Sequence, residues 1–235
     1  MPRPFSKLRF IAIAAATSLV AVRGAAAQWS ATSFGVAEYD TKQTFMPLVG
    51  ISASPRGLGL KPLLALQAMH LSYDAGLSRT NVFSVTPAAG LVNEYDAGEV
   101  YGAVGYEFSN KHTGGPVVAG TSGRGTVING GWDHWGTTGP MGYQALAAYN
   151  FGSKSSWERG RVTRRISQHG NAQTRVGAEV AYSSGDGYNA WEPGAVVEWH
   201  MQRGQILILG AGPKIINSGG NAMFFKVEGV LPLAR

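Results

Sequence analysis

The chain has 235 residues, 33 of them glycine and none of them cysteine, with a formal net charge of +6. The lack of cysteine excludes a disulfide framework and any thiolate site for zinc or an iron–sulfur cluster. Arg3, Lys7, Arg9 and Arg23 stand in the first 27 residues without an acid, and the remainder holds sixteen basic against fourteen acidic residues. The basic balance therefore belongs mostly to the leading segment, and nothing in it calls for nucleic acid.

That segment reads as a secretory signal. An apolar stretch from Phe10 to Val22 follows the basic residues and runs into Gly24-Ala25-Ala26-Ala27, small residues that suit cleavage after Ala27. The stretch is too short to cross a bilayer as a helix. We therefore expect a signal peptide over 1–27 and one domain over 28–235.

Beyond it, period-two alternation recurs in stretches of about ten residues, the length a tilted strand needs to cross a bilayer. Strands are predicted over 29–39, 45–54, 62–73, 80–92, 98–108, 124–134, 141–151, 156–166, 172–183, 190–202, 204–213 and 220–231. That makes twelve, with ten as the alternative. Turn signals separate them, among them Pro55-Arg56-Gly57, Asp96-Ala97-Gly98, Thr138-Gly139-Pro140 and Arg203-Gly204, and the longest connection falls at 109–123.

Several segments sort into two faces. In 190–202, Trp191, Ala195, Val197 and Trp199 oppose Glu192, Glu198 and His200. In 98–108, Val100, Val104, Tyr106 and Phe108 oppose Glu99, Tyr101 and Glu107. The faces of 62–73 do not separate. Alternation of this kind suits an antiparallel sheet with one apolar side, which a soluble sandwich or barrel satisfies as well as a membrane barrel.

Aromatic placement favours the membrane. With the first strand rising from the periplasm, odd strands end at the outer surface and even strands begin there. Tyr39, Tyr73, Phe108, Phe151 and Tyr182 then close odd strands, and Phe45, Phe83, Trp157, Trp191 and Phe224-Phe225 open even ones. Together they form a single ring, as an interfacial girdle requires. The same parity puts the 109–123 connection outside.

Charge concentrates in the second half. Arg159, Arg161 and Arg165 share one face of 156–166, and neighbouring segments offer Arg175 and Glu179, Glu192, Glu198 and His200, and Lys226 and Glu228. In a barrel these residues line the lumen, either as a salt-bridged network fixing register or as a constriction attracting anionic solutes. Glu198 and His200 could also support general-base chemistry from one strand face. Half of the site of the omptin outer-membrane proteases has a similar acid–histidine pair, but their second element, Asp-x-Asp, does not occur here. Asp133 and His134 are adjacent and so point to opposite faces. His70 and Ser72 share a face without the surroundings of the lipid A deacylase barrels. No histidine pair has helical metal-ligand spacing, and no metal or other cofactor is expected.

Over 28–235 the hairpin rhythm and girdle resemble bacterial outer-membrane β-barrel proteins. The stretch Phe225-Lys226-Val227-Glu228-Gly229-Val230-Leu231-Pro232-Leu233 is similar to the final strand that such proteins present to their assembly machinery, although the chain ends Leu233-Ala234-Arg235 where that class commonly ends on an aromatic residue. The resemblance implies an all-β, transmembrane up-and-down barrel in the outer membrane, in contact with lipid and the assembly machinery and with small solutes as candidate cargo. It implies a narrow pore or a structural or surface-interaction protein rather than an enzyme. The competing readings are a soluble secreted or periplasmic β-protein binding a ligand in an apolar core, and an outer-membrane hydrolase using Glu198 and His200.

Overall fold

The computed structural model describes residues 29–75, 78–113, 121–135, 139–185, 188–217 and 220–234; the expected signal peptide lies outside them. Twelve strands follow in chain order: β1 (Trp29–Asp40), β2 (Phe45–Pro55), β3 (Gly59–Ala75), β4 (Ser78–Tyr95), β5 (Gly98–Thr113), β6 (Thr121–His134), β7 (Met141–Asn150), β8 (Ser155–His169), β9 (Ala172–Gly185), β10 (Tyr188–His200), β11 (Ile206–Ile216) and β12 (Ala222–Ala234). Each predicted segment gives one strand. Consecutive strands pair antiparallel, and β1 pairs with β12 to close a barrel. Closure leaves no sheet edge unpaired, which answers the obligatory hydrogen bonding of strand backbone.

The alternating sequence decides which side chains turn inward. Charged residues of β8, β9, β10 and β12 are buried, whereas Phe83, Leu91, Val104, Phe108, Trp191 and Phe225 are exposed. The barrel is thus apolar outside and charged inside, the reverse of a soluble β-protein. The faces of β3 become distinct in the structure. Lys61 is buried inside, while Leu64 and Leu66 are exposed outside. Its inner residues Leu63, Ala65 and Met69 face Gly90, Ala88 and Ser84 of β4, so β3 carries apolar side chains on both faces and its sequence shows no clean alternation.

Two expectations are corrected by the pairing. The long connection is shorter than 109–123, because Ser109 pairs with Gly123 and Lys111 with Thr121; β6 runs on beyond the end of β7, whose last pair is Asn150 with Val127. Three members of the expected girdle also turn inward. Phe224 is 1% exposed, and its neighbour Phe225 takes the outer face, since adjacent strand residues point to opposite sides. Trp157 shares the parity of Arg159 and lies under its guanidinium, 5.4 Å from the ring centre. Tyr73 shares the parity of Lys61 and pairs with buried Thr80.

Tyr39, Phe83, Phe108, Phe151 and Trp191 stand exposed on the outer face near one end, with Tyr106 and Tyr149 added to the expected set. Tyr106 and Phe108 pack edge-to-face at 5.0 Å, as do Tyr149 and Phe151 at 4.9 Å, and Tyr182 lies 4.6 Å from Trp191. Phe45 pairs with Tyr39 and completes the ring. We call this end the upper rim. The lower rim carries Trp132 stacked on Tyr143 at 6.1 Å.

Candidate functional site

Five adjacent strands, β8 to β12, turn a charged wall into the lumen. Their register sets Arg161 opposite Glu179, Arg175 opposite Glu198, Glu198 opposite Ile208, and Ile208 opposite Glu228. Arg161 reaches three carboxylates on three strands: Glu179 at 2.8 Å, Glu228 at 2.7 Å and Glu198 at 3.4 Å. Lys226 bridges Glu179 and Glu228, the latter at 3.0 Å. Arg159 pairs with Glu228 at 2.5 Å and donates to Gln144 Oε1 at 2.6 Å. Gln144 in turn donates to Asp133 at 2.6 Å, so the network continues onto β7 and β6.

All of these Arg, Lys and Glu residues are buried. Charges removed from water persist only when paired and hydrogen-bonded, because isolated ones carry a desolvation penalty of several kcal/mol. Here nearly every guanidinium or ammonium meets a carboxylate of a non-adjacent strand, so the side chains cross the lumen instead of lining it as a free row.

Arg175 and Arg165 behave differently. They sit directly opposite each other, and the β8–β9 ladder shifts by a bulge between Arg165 and Ser167 at this point. Like charges in register repel. Arg175 turns to neutral acceptors, donating to Thr163 Oγ1 at 3.1 Å, Trp135 O at 3.1 Å and Pro140 O at 3.2 Å, with Glu198 farther off at 3.8 Å. It thereby ties the β6–β7 connection to the lower rim. Arg165 makes no ion pair among the described residues. Glu198 also accepts from His200 at 3.2 Å and lies 3.4 Å from the Thr163 hydroxyl.

Glu192 does not join this network. It pairs with Lys214 of β11 at 2.7 Å, near the upper rim, where Lys214 also meets Glu38 at 3.2 Å and Asp40 at 3.4 Å. Sequence reading missed Lys214, Glu38 and Asp40. The available signal was parity: Glu38 and Asp40 share one face of β1, and Lys214 is the lone charge of β11. Asp133 and Gln144 were missed as network members because neither stands in a charged run.

The remaining wall, β1 to β5, is uncharged at mid-height. Phe34 lies flat over Gly50, where a Cβ would come within 2.3 Å of the ring. Gln67 pairs with Thr86 and Ala65 with Ala88 in the inward parity, and Ala103 faces Gly90. These inward side chains are neutral and, apart from Phe34 and Gln67, small. Near the lower rim this wall turns acidic. Glu94 stands opposite Glu99 and Glu99 opposite Asp133, with Lys61 on Glu94 at 2.8 Å.

No family model matches the sequence, and no curated protein matches it either. Solved structures do. The beta domain of the Bordetella autotransporter BrkA superposes with a TM-score of 0.55 at 11% identity, over 86% of this chain and 98% of that one. The translocator domain of the autotransporter NalP from Neisseria meningitidis superposes with a TM-score of 0.52 at 10% identity, over 96% and 95%. At these identities the likeness is one of fold: a closed antiparallel barrel of the outer-membrane type.

Proposed function

We propose that this protein is exported, cleaved after Ala27, and inserted in the outer membrane as a barrel whose ion-pair network confines the lumen to a narrow, off-axis path. The observation that carries this reading is Arg161, which spans from β8 to Glu228 on β12 and closes the charged half of the interior. The outer face supports the membrane placement, since a soluble β-protein would not expose Leu64, Phe83, Leu91, Val104 and Phe225 together. The paired state of Arg159, Arg161 and Lys226 favours a network that fixes register over a row that attracts anions. Glu198 is held by Arg161, Arg175 and His200, which suits a structural carboxylate better than a base, and no catalytic role is assigned to it.

Purified, heat-modifiable barrel in planar bilayers tests the proposal. The wild type should show small steps or none, with little preference for anions. The double variant Arg161→Ala/Lys226→Ala should conduct several-fold more. Large anion-selective steps from the wild type would overturn the occluded lumen, and release of the protein from membranes by carbonate would overturn the membrane placement.

A further inference from the structure

One ladder of the wall is interrupted on both of its strands at once. Between β10 and β11 the pairing holds at Trp191↔Ile215 and again at Ala195↔Ala211, with no paired residues in between. The shared register sets Pro193 directly opposite Pro213 and Gly194 opposite Gly212. Each proline pairs normally on its other side, Pro193 with Val180 of β9 and Pro213 with Met223 of β12. Hydrogen-bonded pairs alternate along an antiparallel ladder, so Trp191–Ile215 and Ala195–Ala211 are rungs and Pro193–Pro213 is the rung between them. With neither N–H present, that rung loses both of its hydrogen bonds. The glycine pair adds no cross-strand side-chain contact. The gap is about 13 Å long at 3.3 Å per residue. Pro47 and Pro87 also interrupt ladders, of β2–β3 and β4–β5, but each stands opposite a residue that keeps its N–H.

The gap divides the seam into unequal parts. Below it the ladder runs from Ala195↔Ala211 to His200↔Ile206. It ends in the turn that joins the two strands, where Met201 N donates to Gln205 O at 2.8 Å. Above the gap the strands belong to different hairpins, β9–β10 and β11–β12, and among the described residues three sets of polar contacts hold them. The first is the Trp191–Ile215 rung. In the second, Asn217 N donates to Asn189 O at 3.1 Å, but Asn189 N turns to the side-chain Oδ1 of Asn217 at 2.9 Å.

The third is an ion pair. Glu192 and Lys214, opposite each other just above the prolines, meet at 2.7 Å. Lys214 also holds Glu38 at 3.2 Å and Asp40 at 3.4 Å on β1, and all four side chains are buried. The β11–β12 side is anchored independently to the β1–β2 turn. There Thr41 N donates to Met223 O at 2.9 Å, Met223 N to Thr41 Oγ1 at 3.0 Å and Lys42 Nζ to Gly220 O at 2.9 Å.

We propose that the proline gap is a hinge and the Glu192–Lys214 ion pair its latch, so that the upper ends of β10 and β11 part when the pair breaks and close when it re-forms. Lys214 keeps Glu38 and Asp40 in the parted state, so the buried ammonium is not left without a counter-charge. Glu192 lies two residues below exposed Tyr188 on the same face, and parting brings its carboxylate to water instead of stranding it. The strands stay laced below Ala195. The motion widens the upper mouth of the lumen without undoing the closure of the barrel.

Amide exchange of the full barrel tests this, once heat-modifiable mobility shows it to be folded. Corrected for intrinsic rates, Trp191 and Ile215 should exchange several-fold faster than Ala195 and Ala211 across the gap. Glu192→Gln should speed the upper two several-fold more and leave the lower two unchanged. Pro193→Ala/Pro213→Ala returns two N–H groups to the missing rung. In that background all four amides should exchange alike, and Glu192→Gln should lose its selective effect. Because the chain has no cysteine, Asn189→Cys/Asn217→Cys supplies an independent lock should those variants fail to fold. Its disulfide should slow Trp191 and Ile215 to the rate of Ala195, and reduction should restore the difference. Equal exchange above and below the gap in the wild type, or rates untouched by the disulfide, would overturn the hinge. A Glu192→Gln effect that is absent, equal on both sides of the gap, or undiminished once the prolines are replaced would overturn the latch.

Discussion

Arg161 Nη2 lies 2.7 Å from Glu228 Oε1 although three strands separate β8 from β12 along the wall. The pair is a chord through the interior, and its two ends are bound by Glu179 and Lys226, which also pair with each other. Neither residue is replaceable alone, because each leaves behind buried partners of one sign.

Arg161→Ala should therefore destabilise the barrel by about 3–5 kcal/mol, the usual consequence of stranding buried charges. Arg165→Ala, on the same strand face but outside the ion pairs, should change stability by less than about 1 kcal/mol. Urea unfolding in detergent, followed by gel mobility, separates the two. Equal losses would show that the network contributes nothing specific.

A second expectation concerns Phe34 and Gly50. Gly50→Val places carbon where the Phe34 ring now lies, within 2.3 Å of Cζ. Overpacking of this kind typically removes about 1–3 kcal/mol. Combining it with Phe34→Ala should restore part of the loss, since the ring that clashes is gone. A thermal melt of both single variants and the double variant measures the coupling; strict additivity would rule out the contact.

Tryptophan quenching distinguishes the faces. In single-tryptophan variants, brominated lipids should quench Trp191, which stands half-exposed on the outer face, and leave Trp157, beneath Arg159, nearly unaffected. Comparable quenching of both would contradict the inward turn of Trp157.

Arg175 supplies a prediction at the lower rim. Its bonds to Trp135 O and Pro140 O are the described ties from the lumen to that connection. Arg175→Lys cannot span both carbonyls and the Thr163 hydroxyl at once, because an ammonium lacks the fixed fork of a guanidinium. Chymotryptic cleavage after Trp135 should become several-fold faster in the variant, with the barrel itself intact. Unchanged cleavage would mean that the turn holds without Arg175.

Strand number and order were readable from alternation because lipid-facing and lumen-facing positions differ sharply in β5, β9, β10 and β12. They differ little in β3, where Leu63, Leu64, Ala65 and Leu66 are apolar on either side, and there the sequence is silent about face. Strand ends are a criterion blind to parity, so they admit Phe224 beside Phe225 although only Phe225 turns outward. The charged residues of β8 to β10 stood out as runs. Their partners did not: Lys214 and Glu38 meet across β12, and Asp133 and Gln144 join through Arg159, contacts that only register and closure create.

The pairing of β1 with β12 has a further bearing on assembly. Phe34 finds Val230, and Glu38 finds Lys226, only after every intervening hairpin has emerged, so the contact of greatest sequence separation forms last. Until then two strand edges stand open at once, each a template for another chain. The unfinished molecule therefore needs shielding until the barrel closes, and any slowing of synthesis near the C-terminal end should extend the interval in which it can aggregate.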